Sequence, residues 1–147
     1  MPTTAPDRHA VLRRRLRHGL GAFFIVAGLA HFVAPHLYDP MMPDWLPAAS
    51  HRPLIYFTGL AELAGGIGIL TTRFRRAAAR GLVALLVAIF PANLHVALDP
   101  AAGEAFGPSQ AVLWLRLPFQ AVFIAWVWWT CLRPRAAGLT TPPATRP

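Results

Sequence analysis

Apolar residues along the chain are gathered into four long blocks, and short polar stretches separate them. A helix that spans the hydrocarbon core of a bilayer needs about 20 mostly apolar residues, and each block is close to that length. The pattern therefore predicts an all-α fold, a four-helix transmembrane bundle. The expected spans run over about 16–34, 53–70, 77–98 and 111–132.

These spans divide the chain into three parts. We expect a basic N-terminal arm over residues 1–15, the transmembrane domain over 16–132, and a disordered tail over 133–147 that is rich in Pro, Thr and Ala. The first block resembles an export signal, but no clean small-residue cleavage site follows it and three further apolar blocks do. An uncleaved first helix is the prediction.

Composition supports a membrane protein and excludes several classes of enzyme. Hydrophobic residues make up 55% of the chain, charged residues 14%, and the mean hydropathy is +0.43. Soluble domains carry about 25% charged residues. Cys131 is the single cysteine, which excludes a self-contained dithiol oxidoreductase and a thiolate metal cluster. The sequence shows no nucleotide-binding glycine loop, no catalytic triad and no metal-ligand set.

Arginine accounts for all 14 basic residues, and the positions of these arginines predict the orientation. Twelve lie within or next to the N-terminal arm, the second interhelical turn and the tail, whereas the loops of the other side contain only Arg52. Because basic residues hold loops on the cytoplasmic side, we expect a multi-pass protein of the cytoplasmic membrane with both termini cytoplasmic. The arginines flank apolar blocks and do not form a basic stripe with aromatic residues between them, which is typical of proteins that bind nucleic acid. Nucleic acid is therefore not expected as a partner.

The segment between the first two spans, Pro35–Arg52, contains four prolines among several apolar residues. It cannot form one long helix and is too apolar to extend freely into water. We expect this proline-rich segment to lie on the outer membrane surface, with one short helical turn, as a lid over the bundle. The alternative is a loop whose aromatic residues only anchor at the lipid headgroups.

A few polar side chains interrupt the apolar blocks, and each carries a cost in lipid. The rise of 1.5 Å per residue places them all in the outer half of the bundle. We expect a buried polar cluster or ligand site there, with Arg116 as the counter-ion of Glu62. The alternative is a purely structural ion pair that sets the helix register. Haem ligation by two lone histidines is disfavoured, and the role of His95 is open. The predicted cluster comprises His31, Glu62, Asn93, Arg116 and Gln120.

Two further features predict how the helices pack. Small residues four apart on the second helix, Ala61 with Gly65 and Ala64 with Gly68, are typical of close backbone approach. In the third span, Pro91 lacks a backbone N–H and is expected to kink the helix beside Asn93.

Five motifs, in order along residues 17–132, resemble the DoxX family of small four-helix membrane proteins. The resemblance implies a four-helix transmembrane fold and an association with quinone and thiol redox chemistry. His95 stands where relatives often carry an aromatic or aliphatic residue. The motifs are Gly28-Leu29-Ala30-His31-Phe32, Met42-Pro43-Asp44-Trp45-Leu46-Pro47, Tyr56-Phe57-Thr58-Gly59-Leu60-Ala61-Glu62, Phe90-Pro91-Ala92-Asn93 and Trp114-Leu115-Arg116-Leu117-Pro118-Phe119-Gln120.

Three functional hypotheses follow. The first is a quinone-linked or redox-associated accessory subunit that has no covalently bound cofactor, binds a quinone through the polar cluster, and works with a membrane or redox partner protein in the lipid bilayer. The second is a non-catalytic membrane scaffold or assembly partner. The third, a small-solute or proton carrier that uses Glu62, is less favoured because the chain lacks internal repeats. Whether the protein is an enzyme, and which residues would then be catalytic, stays open.

Overall fold

The computed structural model describes residues 8–133, and every regular element in that range is helical. Four helices are long and apolar enough to cross a membrane: Arg8–Val33, Ala48–Leu70, Arg75–Leu98 and Gln110–Leu132. The chain is therefore an all-α, four-helix transmembrane bundle, as predicted. The start of the basic arm and all of the predicted tail except Arg133 lie outside the described residues.

The first two spans begin earlier than their apolar blocks. Helix α1 (Arg8–Val33) includes the second half of the predicted arm, because arginine, leucine and alanine favour the helical backbone. Helix α2 (Ala48–Leu70) begins after Pro47 and contains Pro53 near its start. A proline there removes one backbone hydrogen bond without ending the helix. The connection between them contains a 3₁₀ helix over Pro35–Met41, which matches the short helical turn expected in the proline-rich segment.

The third span is broken, as Pro91 predicts. It consists of α3 (Arg75–Ala88) and α4 (Phe90–Leu98), which meet at Ile89. Pro91 lies in the first turn of α4, where its missing N–H is tolerated. Within a continuous helix the ring would clash with the carbonyl of Val87, four residues earlier. The break relieves this clash.

A short helix between the third and fourth spans is absent from the sequence-based expectations. This helix, α5 (Pro100–Phe106), begins where the Asp99 carboxylate accepts hydrogen bonds from the backbone N–H groups of Ala101 (2.9 Å) and Ala102 (3.2 Å). It ends at Gly107, whose φ of 98° is the left-handed conformation that favours glycine. The fourth span follows as α6 (Gln110–Val127) and continues into a π-helical turn over Trp128–Leu132.

Helices α1 and α2 pack backbone against backbone through paired glycines. A Cβ atom on Gly28 would lie 2.7 Å from the carbonyl oxygen of Gly59, and one on Gly66 would lie 2.9 Å from the carbonyl oxygen of Gly21. Both distances are shorter than a carbon–oxygen contact permits. The two contacts are two helical turns apart on each antiparallel helix, so glycine at these positions sets the spacing and register of the pair.

The opposite face of α2 packs against α3 through the predicted small residues. A Cβ on Gly65 would meet the Leu82 side chain at 2.4 Å, and one on Gly68 would meet the Cβ of Ala78 at 2.5 Å. The expectation of close approach at these glycines is confirmed. Glycines on both faces of α2 are thus packed inside the bundle.

The apolar core has two parts. One part lies at the end of the bundle where α1 and α3 begin, and includes Leu20, Phe24, Ile69, Leu82 and Val127. We call this end, which also holds most of the arginines, the arginine-rich end. The other part lies at the opposite end, where Met41 of the 3₁₀ helix packs with Val96, Ala97 and Leu113. We call this opposite end the lid end.

Candidate functional site

A cavity of about 90 Å³ lies at the lid end, between the helices and the proline-rich segment. It brings together four of the five side chains of the predicted cluster, which come from α1, α2, α4 and α6. The 3₁₀ helix covers the cavity, so the proline-rich segment does lie over the bundle. The lining residues are His31, Tyr38, Met41, Met42, Ile55, Thr58, Glu62, Ile89, Ala92, Asn93 and Arg116.

His31 and Glu62 form one wall of the cavity. Both residues are buried, with 6% and 7% of their surfaces exposed. Nδ1 of His31 lies 2.9 Å from the carbonyl oxygen of Ala27 and 3.5 Å from Oε2 of Glu62. A carbonyl oxygen only accepts, so Nδ1 carries a proton and donates it to Ala27. Among the described residues, Oε2 of Glu62 has no hydrogen-bond partner within normal distance.

The predicted ion pair between Glu62 and Arg116 is wrong as a direct contact. Within residues 8–133, the basic side chain with a nitrogen within 4 Å of the Glu62 carboxylate is His31, which is charged only when protonated. The Arg116 guanidinium is held elsewhere. Its Nη2 donates to Oδ1 of Asn93 at 3.1 Å, and its centre lies 4.9 Å from the ring of Phe106 in α5. A cation over an aromatic face is attracted by the ring, so the guanidinium contacts these two neutral partners and makes no direct ion pair with Glu62.

Gln120 supports the site from behind and does not line the cavity. Nδ2 of Asn93 donates to Oε1 of Gln120 at 3.1 Å, and Nε2 of Gln120 donates to the carbonyl oxygen of Leu86. Leu86 lies in the last turn of α3, where helix carbonyls lack their in-helix donors. The break at Ile89 therefore supplies the acceptor that ends a hydrogen-bonded chain from Arg116 through Asn93 and Gln120.

Tyr38 forms the roof of the cavity. Its ring stacks on the His31 imidazole, with centroids 3.8 Å apart and an interplanar angle of 20°. Burial raises the pKa of the Tyr38 hydroxyl, and the Glu62 carboxylate adds to this effect, whereas the Arg116 cation opposes it. The hydroxyl therefore lies in the fields of both charged groups and stays protonated, able to donate.

The segment that carries Tyr38 is tied to α2 at the surface. Nη2 of Arg52 donates to Oδ2 of Asp39 at 2.8 Å, and both side chains are largely exposed. This ion pair holds the 3₁₀ helix against the start of α2, above the cavity.

Seven of the eleven lining residues, and Phe106 beside Arg116, were not named as site residues from the sequence. Thr58 precedes Glu62 by four residues, so it shares that helix face and could have been found from the spacing. Tyr38 lies in the segment expected to form a lid, but nothing in the pattern singles it out. Phe106 lies in α5, whose Asp-Pro start and Gly end were present in the sequence. His95 does not line the cavity, and its role stays open.

The site offers a few hydrogen-bonding groups within a mostly apolar cavity. One side offers a carboxylate acceptor, and the other offers a guanidinium donor. No group of three His, Cys, Asp or Glu side chains within residues 8–133 has the arrangement of a metal site. The cavity suits a small molecule that both donates and accepts hydrogen bonds.

A family model described as "Domain of unknown function (DUF8561)" matches residues 20–131. The chain belongs to the DUF8561 family. The matched range contains every residue that lines the cavity, so the site is part of the DUF8561 domain. Comparison with curated proteins and with solved structures finds no match. The DUF8561 match names no reaction or ligand, and the resemblance to the DoxX family stays a prediction.

Proposed function

We propose that this protein is a DoxX-like accessory subunit of the cytoplasmic membrane that binds a quinone head group in the cavity at the lid end. In this proposal both termini are cytoplasmic and the lid end faces outward. The observation that carries the proposal is the pairing of an acceptor wall, Glu62 with His31, and a donor wall, Arg116 with Asn93, inside an apolar bundle.

The hydrogen-bonding groups match both redox states of a quinone. The carbonyl oxygens of the oxidised ring accept from the Arg116 guanidinium and the Tyr38 hydroxyl. The hydroxyl groups of the reduced ring donate to the Glu62 carboxylate, whose Oε2 has no hydrogen-bond partner in the described part of the chain. Apolar lining residues such as Ile55 and Ile89 suit the ring and the start of the isoprenoid tail.

The size of the cavity adds one requirement. A volume of about 90 Å³ is smaller than the roughly 150 Å³ cavity that holds a benzene ring in another protein. A quinone ring therefore fits only after Tyr38 moves outward. The Asp39–Arg52 ion pair that restrains this movement is exposed, and such pairs contribute only about 0–1 kcal/mol. We expect the proline-rich segment to open at low cost.

The redox step itself is assigned to a partner. We propose that the chain holds no covalently bound cofactor and that a membrane or redox protein in the same bilayer exchanges electrons with the bound quinone. The scaffold alternative has less support, because Gly65 and Gly68, which belong to the small-residue spacings that would serve it, are packed against α3. The carrier alternative rests on the buried Glu62 carboxylate alone, because the chain lacks internal repeats.

Photolabelling tests this proposal. Membranes that contain the full chain are irradiated with a photoreactive quinone analogue, and the adducts are mapped by mass spectrometry. We expect adducts on Tyr38, Met41 or Met42, and a loss of about tenfold in Arg116→Gln, because a charge-assisted hydrogen bond to the ligand is removed.

Arg80→Gln is the matched control, since it makes the same change at the arginine-rich end. It should label like the wild type. Adducts confined to the arginine-rich end, or equal labelling in Arg116→Gln and wild type, would remove the quinone from the cavity.

A further inference from the structure

The arginine-rich end carries a large positive charge that no described carboxylate balances. Five arginines lie between residues 8 and 17, four lie between 73 and 80, and Arg133 follows the fourth span. The acidic residues of the described range are all elsewhere: Asp39, Asp44, Glu62, Asp99 and Glu104. Ten positive charges therefore crowd one end of the bundle.

The structure brings these arginines together. Nη2 of Arg13 lies 3.4 Å from the carbonyl oxygen of Arg133, which joins the start of α1 to the end of the fourth span. Helix α3, which begins at Arg75, packs against the π-helical turn Trp128–Leu132. The arginine groups of α1, the α2–α3 turn and the fourth span thus surround one end.

The ring contacts of Arg13 and Arg73 leave the charges of these two side chains uncompensated. The Arg13 guanidinium lies 5.8 Å from the centre of the Trp129 ring, and that of Arg73 lies 5.6 Å from the centre of the Phe74 ring. Both partners are neutral. Nε of Arg75 is buried and has no hydrogen-bond acceptor among the described residues. Since buried N–H groups are nearly always hydrogen-bonded in folded proteins, this one indicates an acceptor that lies outside residues 8–133.

We infer that the arginine-rich end is a binding site for the phosphodiester groups of anionic phospholipids. The arginines lie at the ends of the spanning helices, at the level where lipid headgroups lie, and Trp129 beside Arg13 is a residue typical of that level. The planar fork of a guanidinium forms paired hydrogen bonds to phosphate oxygens, which an ammonium group does not. A lipid headgroup is favoured over a free anion because the bilayer holds it beside these side chains at high local concentration. The inference requires no ligand in the cavity and no particular orientation of the bundle.

Lipid retention measured on the purified full chain tests this inference. The protein is prepared in a neutral detergent, mixed with equal amounts of phosphatidylglycerol and phosphatidylcholine, and the retained lipids are counted by native mass spectrometry. We expect phosphatidylglycerol to exceed phosphatidylcholine by about tenfold. The double variant Arg75→Gln with Arg76→Gln should lose most of this preference.

Two further variants separate charge loss from misfolding. Arg75→Lys with Arg76→Lys keeps the charge but loses the fork, and should retain an intermediate preference. Arg52→Gln removes one arginine from the lid end and should retain lipid like the wild type. Equal retention of both lipids by the wild type, or an unchanged preference in the double glutamine variant, would overturn the inference. So would inorganic phosphate, if it displaced the phosphatidylglycerol at equal concentration, because the site would then be one for a free anion.

Discussion

A Cβ atom on Gly59 would lie 2.6 Å from the Cβ of His31, so the absence of a side chain at Gly59 is what lets His31 reach the cavity wall. The glycine contact between α1 and α2 therefore does more than set a helix spacing. It places the His31 imidazole 3.5 Å from Glu62 and under the Tyr38 ring. Packing of the two helices and geometry of the site depend on the same residue.

Gly59→Ala should destabilise the protein by about 1–3 kcal/mol, the usual cost of an overpacked core. The added methyl group meets His31 Cβ and the carbonyl oxygen of Gly28, and neither can move without separating the helices. Thermal unfolding in detergent measures the effect. Gly19→Ala is the matched control, because a Cβ there has nothing within 4 Å and alanine favours a helix by about 1 kcal/mol. If the two variants unfold alike, the close contact between α1 and α2 is wrong.

The pairing of Glu62 with His31, in place of Arg116, predicts which residues are energetically coupled. Single and double variants of Glu62→Gln, His31→Gln and Arg116→Gln form two double-mutant cycles, read by thermal unfolding. We expect a coupling of about 0.5–3 kcal/mol between Glu62 and His31. Between Glu62 and Arg116, which share the cavity without a direct contact, the coupling should be smaller than that between Glu62 and His31. A larger coupling of Glu62 with Arg116 than with His31 would support the Glu62–Arg116 ion pair predicted from the sequence.

The sequence predicts the fold of this protein well, because the bilayer imposes a strong constraint. The length and apolarity of the blocks predict four spans, because a backbone in lipid must form its hydrogen bonds within a helix. Pro91 predicts the break of the third span, because proline has no backbone N–H to donate. Hydropathy predicts the ends of the helices less well than their number. The residues 8–15 extend α1 although they are charged, because arginine is a good helix former and hydropathy does not record that.

The partners within the site were harder to predict from the sequence. The position of each polar residue along its helix predicted that these residues lie at one depth. It did not predict which of them face each other around the bundle axis. The choice of partner for Arg116 depends on Phe106 in α5, a helix that hydropathy does not reveal. Glu62 meets His31 because Gly59 permits close approach of α1, which small-residue spacing on α2 alone does not specify.

Tyr38 should make the stability of the protein depend on pH in the alkaline range. Burial raises its pKa above the usual value of 10, so the unfolded chain releases this proton at lower pH than the folded protein does. The stabilising contribution is complete below the unfolded-state pKa and is lost as the pH rises through the folded-state pKa. From about pH 8 to about pH 11, the wild type should lose more thermal stability than Tyr38→Phe.

Tyr56→Phe controls for this effect, because it makes the same change on a ring that is 41% exposed. Its loss of stability over the alkaline range should equal that of the wild type. If Tyr38→Phe loses as much stability as the wild type over the same range, the Tyr38 hydroxyl is not buried between the 3₁₀ helix and the cavity.

The orientation of the bundle can be tested at two turns that the structure places at opposite ends. Gly107, where an added Cβ would meet nothing within 4 Å, lies at the lid end between α5 and α6, whereas Arg76 lies at the arginine-rich end near the start of α3. Because arginines hold loops in the cytoplasm, alkaline phosphatase fused after Gly107 should be active, and the same enzyme fused after Arg76 should be inactive. A cytoplasmic reporter such as green fluorescent protein should give the opposite result at each site. Active phosphatase after Arg76 with an inactive fusion after Gly107 would invert the bundle, and the cavity and its proposed quinone would then face the cytoplasm.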